Sequence, residues 1–223
     1  LGSFSYQWFA DGSAIGGATS QNYTLTQNEV WKSITVEVSY VDGYNKTETV
    51  TSDATGSVAN ENDAPTGEVI IEGTTQQGET LKAKTGDIND ADGFYNGVKN
   101  WSFQWYADGS SIDGATDRHF TLTQNEVGKS ITVEVSYTDG KGKTETVTSD
   151  ATSLVANEND APTGGVTISG TLKEDQMLTA SNTLDDEDGM GSLNYQWFAN
   201  GSAIGGATSQ NYTLTQNEVG KSI

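Results

Sequence analysis

The clearest alternation of apolar and polar positions runs over residues 130–137. Ile131, Val133, Val135 and Tyr137 fall on one side, and Ser130, Thr132, Glu134 and Ser136 on the other. A two-residue period of this kind predicts a β-strand with one buried face. Phe103, Trp105 and Ala107 alternate in the same way up to Asp108-Gly109, a pair suited to a tight hairpin turn. Residues 69–71, 80–83, 120–122 and 144–147 supply further short strands, and no segment has helical periodicity. Some seven short strands in about a hundred residues predict an antiparallel sandwich of two sheets.

The pattern also repeats on a longer scale. Residues 59–67, Ala-Asn-Glu-Asn-Asp-Ala-Pro-Thr-Gly, return letter for letter at 156–164, a period of 97 residues. The expected organisation is a repeat lacking its first third (1–62), a complete repeat (63–159) and a repeat that stops inside a strand (160–223). Residues 6–30 and 195–219 differ only at Asp11 against Asn200, the mark of internal duplication. The repeated linkers are joints between modules, and function is sought there.

Composition narrows the partners. The chain carries 31 acidic and 11 basic side chains, a formal charge of −20, so phosphate backbones and anionic lipid would repel it and divalent cations would not. There is no cysteine, hence no disulfide frame and no thiolate metal site. No apolar run approaches membrane-spanning length, so direct membrane insertion is not expected. Low hydrophobicity with high acidity can indicate disorder, but alternation, turn signals and repeated tryptophans argue for folded modules.

Trp105 followed by residues 124–133, Gln-Asn-Glu-Val-Gly-Lys-Ser-Ile-Thr-Val, resembles the immunoglobulin pattern of a core tryptophan and a conserved corner. Ile131 and Val133 stand at the tyrosine and cysteine positions, and Leu81 stands for the opposite cysteine, so an apolar contact replaces the disulfide. Trp31 occupies the place held by Gly128 and Gly220, which implies that this corner does not absolutely require glycine. Asn-Asp-Ala-Pro-Thr-Gly, Asp-x-Asp-Gly, Gln-Trp, Gly-Ala-Thr, Tyr-Thr-Leu-Thr and Ser-Tyr-x-Asp-Gly follow in order. Together they resemble tandem immunoglobulin-like or cadherin-like repeats of giant bacterial surface adhesins of the RTX, type I secreted kind. The resemblance implies an all-β chain of tandem antiparallel Ig-like β-sandwich modules in linear array, at the bacterial cell surface or in an extracellular filament.

The chemistry, if any, lies in the acidic turns. Sandwich topology places linker residues Asn60, Asn62 and Asp63 beside Asn89, Asp90 and Asp92 of their own repeat and near Asn28 and Glu29 of the preceding corner. The second joint repeats the set as Asn159, Asp160, Asp185, Asp186 and Asp188, with Asn125 and Glu126. Converging hard oxygens suit calcium, which takes six to eight oxygen ligands in irregular geometry, better than magnesium. Asn-Glu-Asn-Asp-Ala-Pro also resembles the calcium-binding linker of cadherins, Asp-x-Asn-Asp-Asn-Ala-Pro, with Asn60 in place of the leading aspartate. The competing reading is that these are polar turns, where Asp, Asn and Gly gather for conformational reasons alone.

Trp8, Trp105 and Trp197 are expected in the core, and Phe9, Tyr106 and Phe198 on the opposite strand face, where they could hold glycan or be covered by a loop. His119 is the only histidine, and asparagine replaces it in the other copies, so it is a surface substitution. No nucleophile triad, phosphate loop or histidine metal cluster appears, and an enzyme is not expected. The leading expectation is a calcium-stiffened structural extender whose partners are neighbouring repeats. The alternatives are surface-glycan binding by avidity, and self-assembly with other copies through strand exchange at Leu1 or Ile223.

Overall fold

The computed structural model describes residues 3–223. It is all-β: short antiparallel strands form several sheets, none closed into a barrel among the described residues. This fits the sandwich expected from the alternation. The chain's contacts divide it into two compact units. One comprises Leu1–Glu72, Lys82–Phe120 and Thr132–Ala151; the other comprises Gly73–Leu81, Thr121–Ile131 and Thr152–Ile223. Linker 59–67 therefore lies inside the first unit and linker 156–164 inside the second.

In the first unit a four-stranded sheet runs in the order Ser13–Ala14, Ser5–Ala10, Ile34–Val41, Thr47–Thr51. Trp8 stands opposite Val36, and Val38 opposite Val50. The predicted strand at 130–137 is observed as Ile131–Thr138, with Val135 facing Val147 and Tyr137 facing Glu145 across the ladder. Its inward positions Val133 and Val135 are fully buried, as are Ala83 and Trp105. Trp8 is only half-buried, unlike its two counterparts.

The recurring Gln-Trp and Gly-Ala-Thr motifs encode one hydrogen-bond pattern. The Trp105 indole N–H donates to the Asp117 carbonyl at 2.8 Å, and the Gln104 amide donates to the Ile112 carbonyl at 2.8 Å. Trp8 and Gln7 repeat this on Ser20 and Ile15, and Trp197 and Gln196 on Ser209 and Ile204. A buried tryptophan thus keeps its one polar atom paired while its ring fills the core. Phe120 stacks on the Trp105 ring with centroids 5.7 Å apart. The Asp108-Gly109 turn forms as predicted, with Asp108 at a φ of 45°, which two-residue hairpins of this type require.

The second unit carries a three-stranded sheet, Val166–Gly170, Met177–Asn182 and Asn211–Thr213, and the short hairpin Phe198–Ala199 with Ser202–Ala203. Its core gathers Leu178, Ala180, Trp197, Ala207 and Leu214. Both linkers end in Thr-Gly because the backbone passes too close for any side chain. A Cβ on Gly67 would lie 2.1 Å from the Asp87 carbonyl oxygen, and one on Gly164 1.9 Å from that of Thr183.

The three Thr-Gln-Asn-Glu-Val corners are not legible as helical, because one turn has no periodicity. All three form 3-10 turns, at Gln27–Glu29, Gln124–Glu126 and Gln216–Glu218, each with a full capping box. No described helix is long and apolar enough to cross a membrane.

Trp105→Ala deletes the largest fully buried side chain, and such deletions cost about 3–5 kcal/mol. Urea unfolding followed by circular dichroism is expected to show a correspondingly lower midpoint, whereas Trp8→Ala, at a half-buried site, should shift it less.

Candidate joint sites at the two linkers

At the first joint one carboxylate ties three segments together. Asp92 accepts the backbone N–H of linker residue Asp63 at 2.8 Å and the side-chain amide of Gln27, from the preceding corner, at 3.2 Å. Gln27 also donates to the linker's Asn60 at 3.1 Å, and Thr66 pairs with Asn89 in an antiparallel bridge. Asn62 donates to its neighbour Asp63 and to Glu145 at 2.9 Å each. The structure thus brings Asn60, Asn62, Asp63, Asn89, Asp90 and Asp92 to one end of the complete repeat.

Four carboxylates at this end are buried: Asp90, Asp92, Asp139 and Glu145. Each is solvated by protein donors. Asp90 takes the Asp92 N–H at 2.8 Å and the Tyr137 hydroxyl at 2.5 Å. Asp139 takes the Lys141 and Lys143 N–H groups, both at 2.8 Å, and Glu145 is bridged by the Lys143 ammonium at 3.0 Å. Burial, the hydrogen bond to Asp90, and the charges of Asp90, Glu145 and Asp139 push the Tyr137 phenol well above its ordinary value. One oxygen, Asp139 Oδ2, is buried without any hydrogen-bond partner. The hairpin can approach this closely only because residue 140 is glycine: a Cβ there would stand 2.2 Å from the Asp92 carbonyl oxygen.

The second joint uses the same register with a sparser set. Asp188 accepts the Asp160 N–H at 2.8 Å and the Asn157 amide at 2.7 Å, and Asp186 accepts the Asp188 N–H at 3.0 Å. Asp185 carries the bridge to Thr163, and Asn159 donates to the Asp160 carbonyl at 2.7 Å. Asp160 also accepts the Gln77 amide at 2.6 Å. Asp185 and Asp188 are exposed. Gln124, the counterpart of Gln27, has a buried side-chain oxygen without a partner.

Glu29 and Glu126 lie in the Thr-Gln-Asn-Glu-Val corners. Each caps its own corner: Glu29 Oε2 accepts the Thr26 N–H at 2.9 Å and the Thr26 hydroxyl at 2.8 Å, and Glu126 does the same with Thr123. The corner contributes Gln27 to the joint instead, while Asn28 and Asn125 are exposed. Burial alone would raise the Glu29 carboxyl. The Thr26 backbone and hydroxyl, the Tyr23 hydroxyl and the Lys32 charge nevertheless hold it below its ordinary value. Thr215 does the same for Glu218.

The corner position shared by Trp31, Gly128 and Gly220 lies at φ values of 68°, 77° and 78°. It is left-handed in every copy, so glycine suits it, and tryptophan is accepted at a conformational cost. The Trp31 ring is largely exposed and lies under the Lys141 ammonium, 5.1 Å from its centroid.

Among the described residues no three or more His, Cys, Asp or Glu side chains stand in a geometry ready to hold a metal ion. Sequence reasoning missed Gln27, Tyr137, Asp139 and Glu145. The Ser-Tyr-x-Asp-Gly motif carried Tyr137 and Asp139, but nothing in it signalled that the aspartate would be fully buried against the loop at 90–93.

A capping carboxylate with a depressed pKa contributes stability that is complete above its unfolded value, about 4.5, and is lost as pH falls through the folded value. Glu29→Gln with Glu218→Gln is therefore expected to be less stable than the parent near pH 6 and to lose less on acidification to pH 3, read as melting temperature against pH. An equal acid loss in both proteins would assign the sensitivity to other groups. Comparison with protein-family models and with curated proteins finds no match for this chain.

Proposed function

We propose that the chain is a non-enzymatic structural extender, part of an array of sandwich repeats of the bacterial surface adhesin type, working outside the cell. The observation that carries this reading is the junction at Asp92, where one buried carboxylate holds the linker backbone and the preceding corner together. A linker fixed by its own backbone transmits force and orientation between repeats, which a solvated tether does not. The recurrence of the same bond at Asp188 makes it a property of the repeat and not of one site.

The joint is also the place for calcium. The donor set is made of hard oxygens, which calcium prefers. Asp139 Oδ2 is an unpaired acid oxygen at the first joint, and Gln124 Oε1 an unpaired amide oxygen at the second. Four buried acids with a single bridging lysine leave negative charge that a divalent cation would neutralise. Asp90, Asp92, Asp139 and Glu145, with the linker's Asn62, are the residues that would hold the ion at the first joint. Extracellular calcium modules bind at about 0.1–1 mM, so a hundredfold excess of ion would add about 2.7 kcal/mol to the state that binds it.

Asp139→Asn keeps the Oδ1 acceptor for the Lys141 and Lys143 N–H groups and removes the acid at the unpaired position. The expected result is a parent melting temperature that rises by several degrees in millimolar calcium, and a variant whose melting temperature does not respond. A parent indifferent to calcium would leave the acidic turns as hydrogen-bonding turns only.

A further inference from the structure

The complete repeat differs from its neighbours in the charge of one sheet. Strands Ile70–Glu72, Thr80–Lys84 and His119–Thr121 form that sheet, in that order. By the repeat register Glu72, Lys82, Lys84, Arg118 and His119 match Ser169, Thr179, Ser181, Gln210 and Asn211 of the third repeat. In the first repeat Gln21 and Asn22 stand for Arg118 and His119. None of these counterparts is ionisable. The third repeat nevertheless builds the same three-stranded sheet, from Val166–Gly170, Met177–Asn182 and Asn211–Thr213. The ionisable groups are therefore additions that the fold does not need.

The additions lie close together. Lys82 and Lys84, two residues apart on one strand, point to the same face about 7 Å from each other. Both reach Glu72, at 3.8 and 3.5 Å. Their side chains stay 43 % and 47 % exposed, so these ion pairs are solvated and contribute little to stability. The pairing of Thr179 with Asn211 in the third repeat sets His119 opposite Lys82, and His119 is exposed. Arg118 keeps the bond of its counterpart. Its Nε donates to the Ala83 carbonyl at 2.9 Å, as the Gln210 amide donates to the Ala180 carbonyl at 3.0 Å. Glutamine already satisfies that carbonyl, so the guanidinium brings a charge and further N–H donors to an exposed position beyond what the bond requires. Asp117 stands for Ser209 beside it.

We propose that this sheet of the complete repeat binds an acidic polysaccharide, held across the strands by carboxylate or sulfate groups on its sugars. Repulsion from the rest of the chain decays over about 8 Å at physiological salt, so local charge decides what makes contact. A flat, exposed strand face suits an extended chain and not an isolated ion. Duplex nucleic acid carries one charge about every 1.7 Å, and an anionic lipid surface is also densely charged. Both bring more charge against a chain of −20 than three cations offset. A polysaccharide with one acid on each sugar, or on every second one, meets Lys82, Lys84 and Arg118 with few charges in excess. The planar fork of Arg118 gives two parallel N–H bonds to the oxygens of such a group. The inference rests on the sheet alone and depends neither on calcium nor on the extender reading.

The test titrates polygalacturonate, dextran sulfate and uncharged dextran into the isotope-labelled 223-residue chain, read by NMR shifts and calorimetry. The buffer holds about 0.15 M sodium chloride and a chelator. At least one polyanion is expected to bind, with shifts at residues 82, 84, 118 and 119 and none at 179, 181, 210 and 211, and dextran is expected not to bind. Binding of one polyanion and not the other identifies the recognised group and supports the site. Lys82→Thr, Lys84→Ser, Arg118→Gln and His119→Asn together give the complete repeat the residues of the third. This variant should keep the parent's fold, judged by the remaining spectrum, and lose at least about tenfold in affinity. Glu72→Gln releases both lysines and should tighten binding about threefold. The reverse exchange, Thr179→Lys, Ser181→Lys, Gln210→Arg and Asn211→His, should bring shifts to the third repeat's sheet. Binding of neither polyanion, equal affinity of parent and fourfold variant, or shifts confined to Lys141 and Lys143 would overturn the surface. Sedimentation showing that the chain alone self-associates, and that the fourfold variant does not, would overturn the choice of ligand and assign the face to a second copy.

Discussion

The bond on which the rest of the joint depends is the one from the Asp63 backbone N–H to the buried Asp92 carboxylate. A backbone donor fixes the path of the chain and not merely the position of a side chain. Once Asp63 is placed, the bridge from Thr66 to Asn89 forms in register, and Gly67 must pass close against the Asp87 carbonyl. Charged acceptors also make stronger hydrogen bonds than neutral ones, on the order of 1.5–3 kcal/mol. The identical pairing of Asp160 with Asp188 shows that the constraint is written into the repeat.

Such a device has an electrostatic cost. Burying Asp90, Asp92, Asp139 and Glu145 together strips water from four anions, which is unfavourable unless donors replace it. The fold supplies backbone N–H groups from 63, 92, 141 and 143, the Tyr137 hydroxyl, the Gln27 and Asn62 amides and the Lys143 ammonium. The tally leaves one acid oxygen on Asp139 with nothing. Buried polar groups are rarely left so.

Much of this architecture is readable in the residues, for reasons that are physical. Period-two alternation reports burial directly, so Val133, Val135 and Tyr137 were placed correctly from pattern alone. The tight turn at Asp108-Gly109 has few other conformations available. The repeat itself exposed the linkers, and topology then placed them beside the Asp90 loop. The corner was less legible: Glu29 and Gln27 are two residues apart and both polar, and only the capping geometry decides which faces the linker. Asp139 was hidden for another reason, since its burial depends on a glycine neighbour letting two loops meet, a long-range fact that local pattern does not carry.

Small-angle scattering of the chain in millimolar calcium and then in excess chelator tests the central claim most directly. The account predicts one narrow distribution of interatomic distances with calcium and a broader, more compact-to-extended mixture once the ion is removed, as joints held by ion and hydrogen bonds loosen. A scattering profile that does not change between the two conditions would contradict it, and would leave the joints as turns whose geometry owes nothing to a cation.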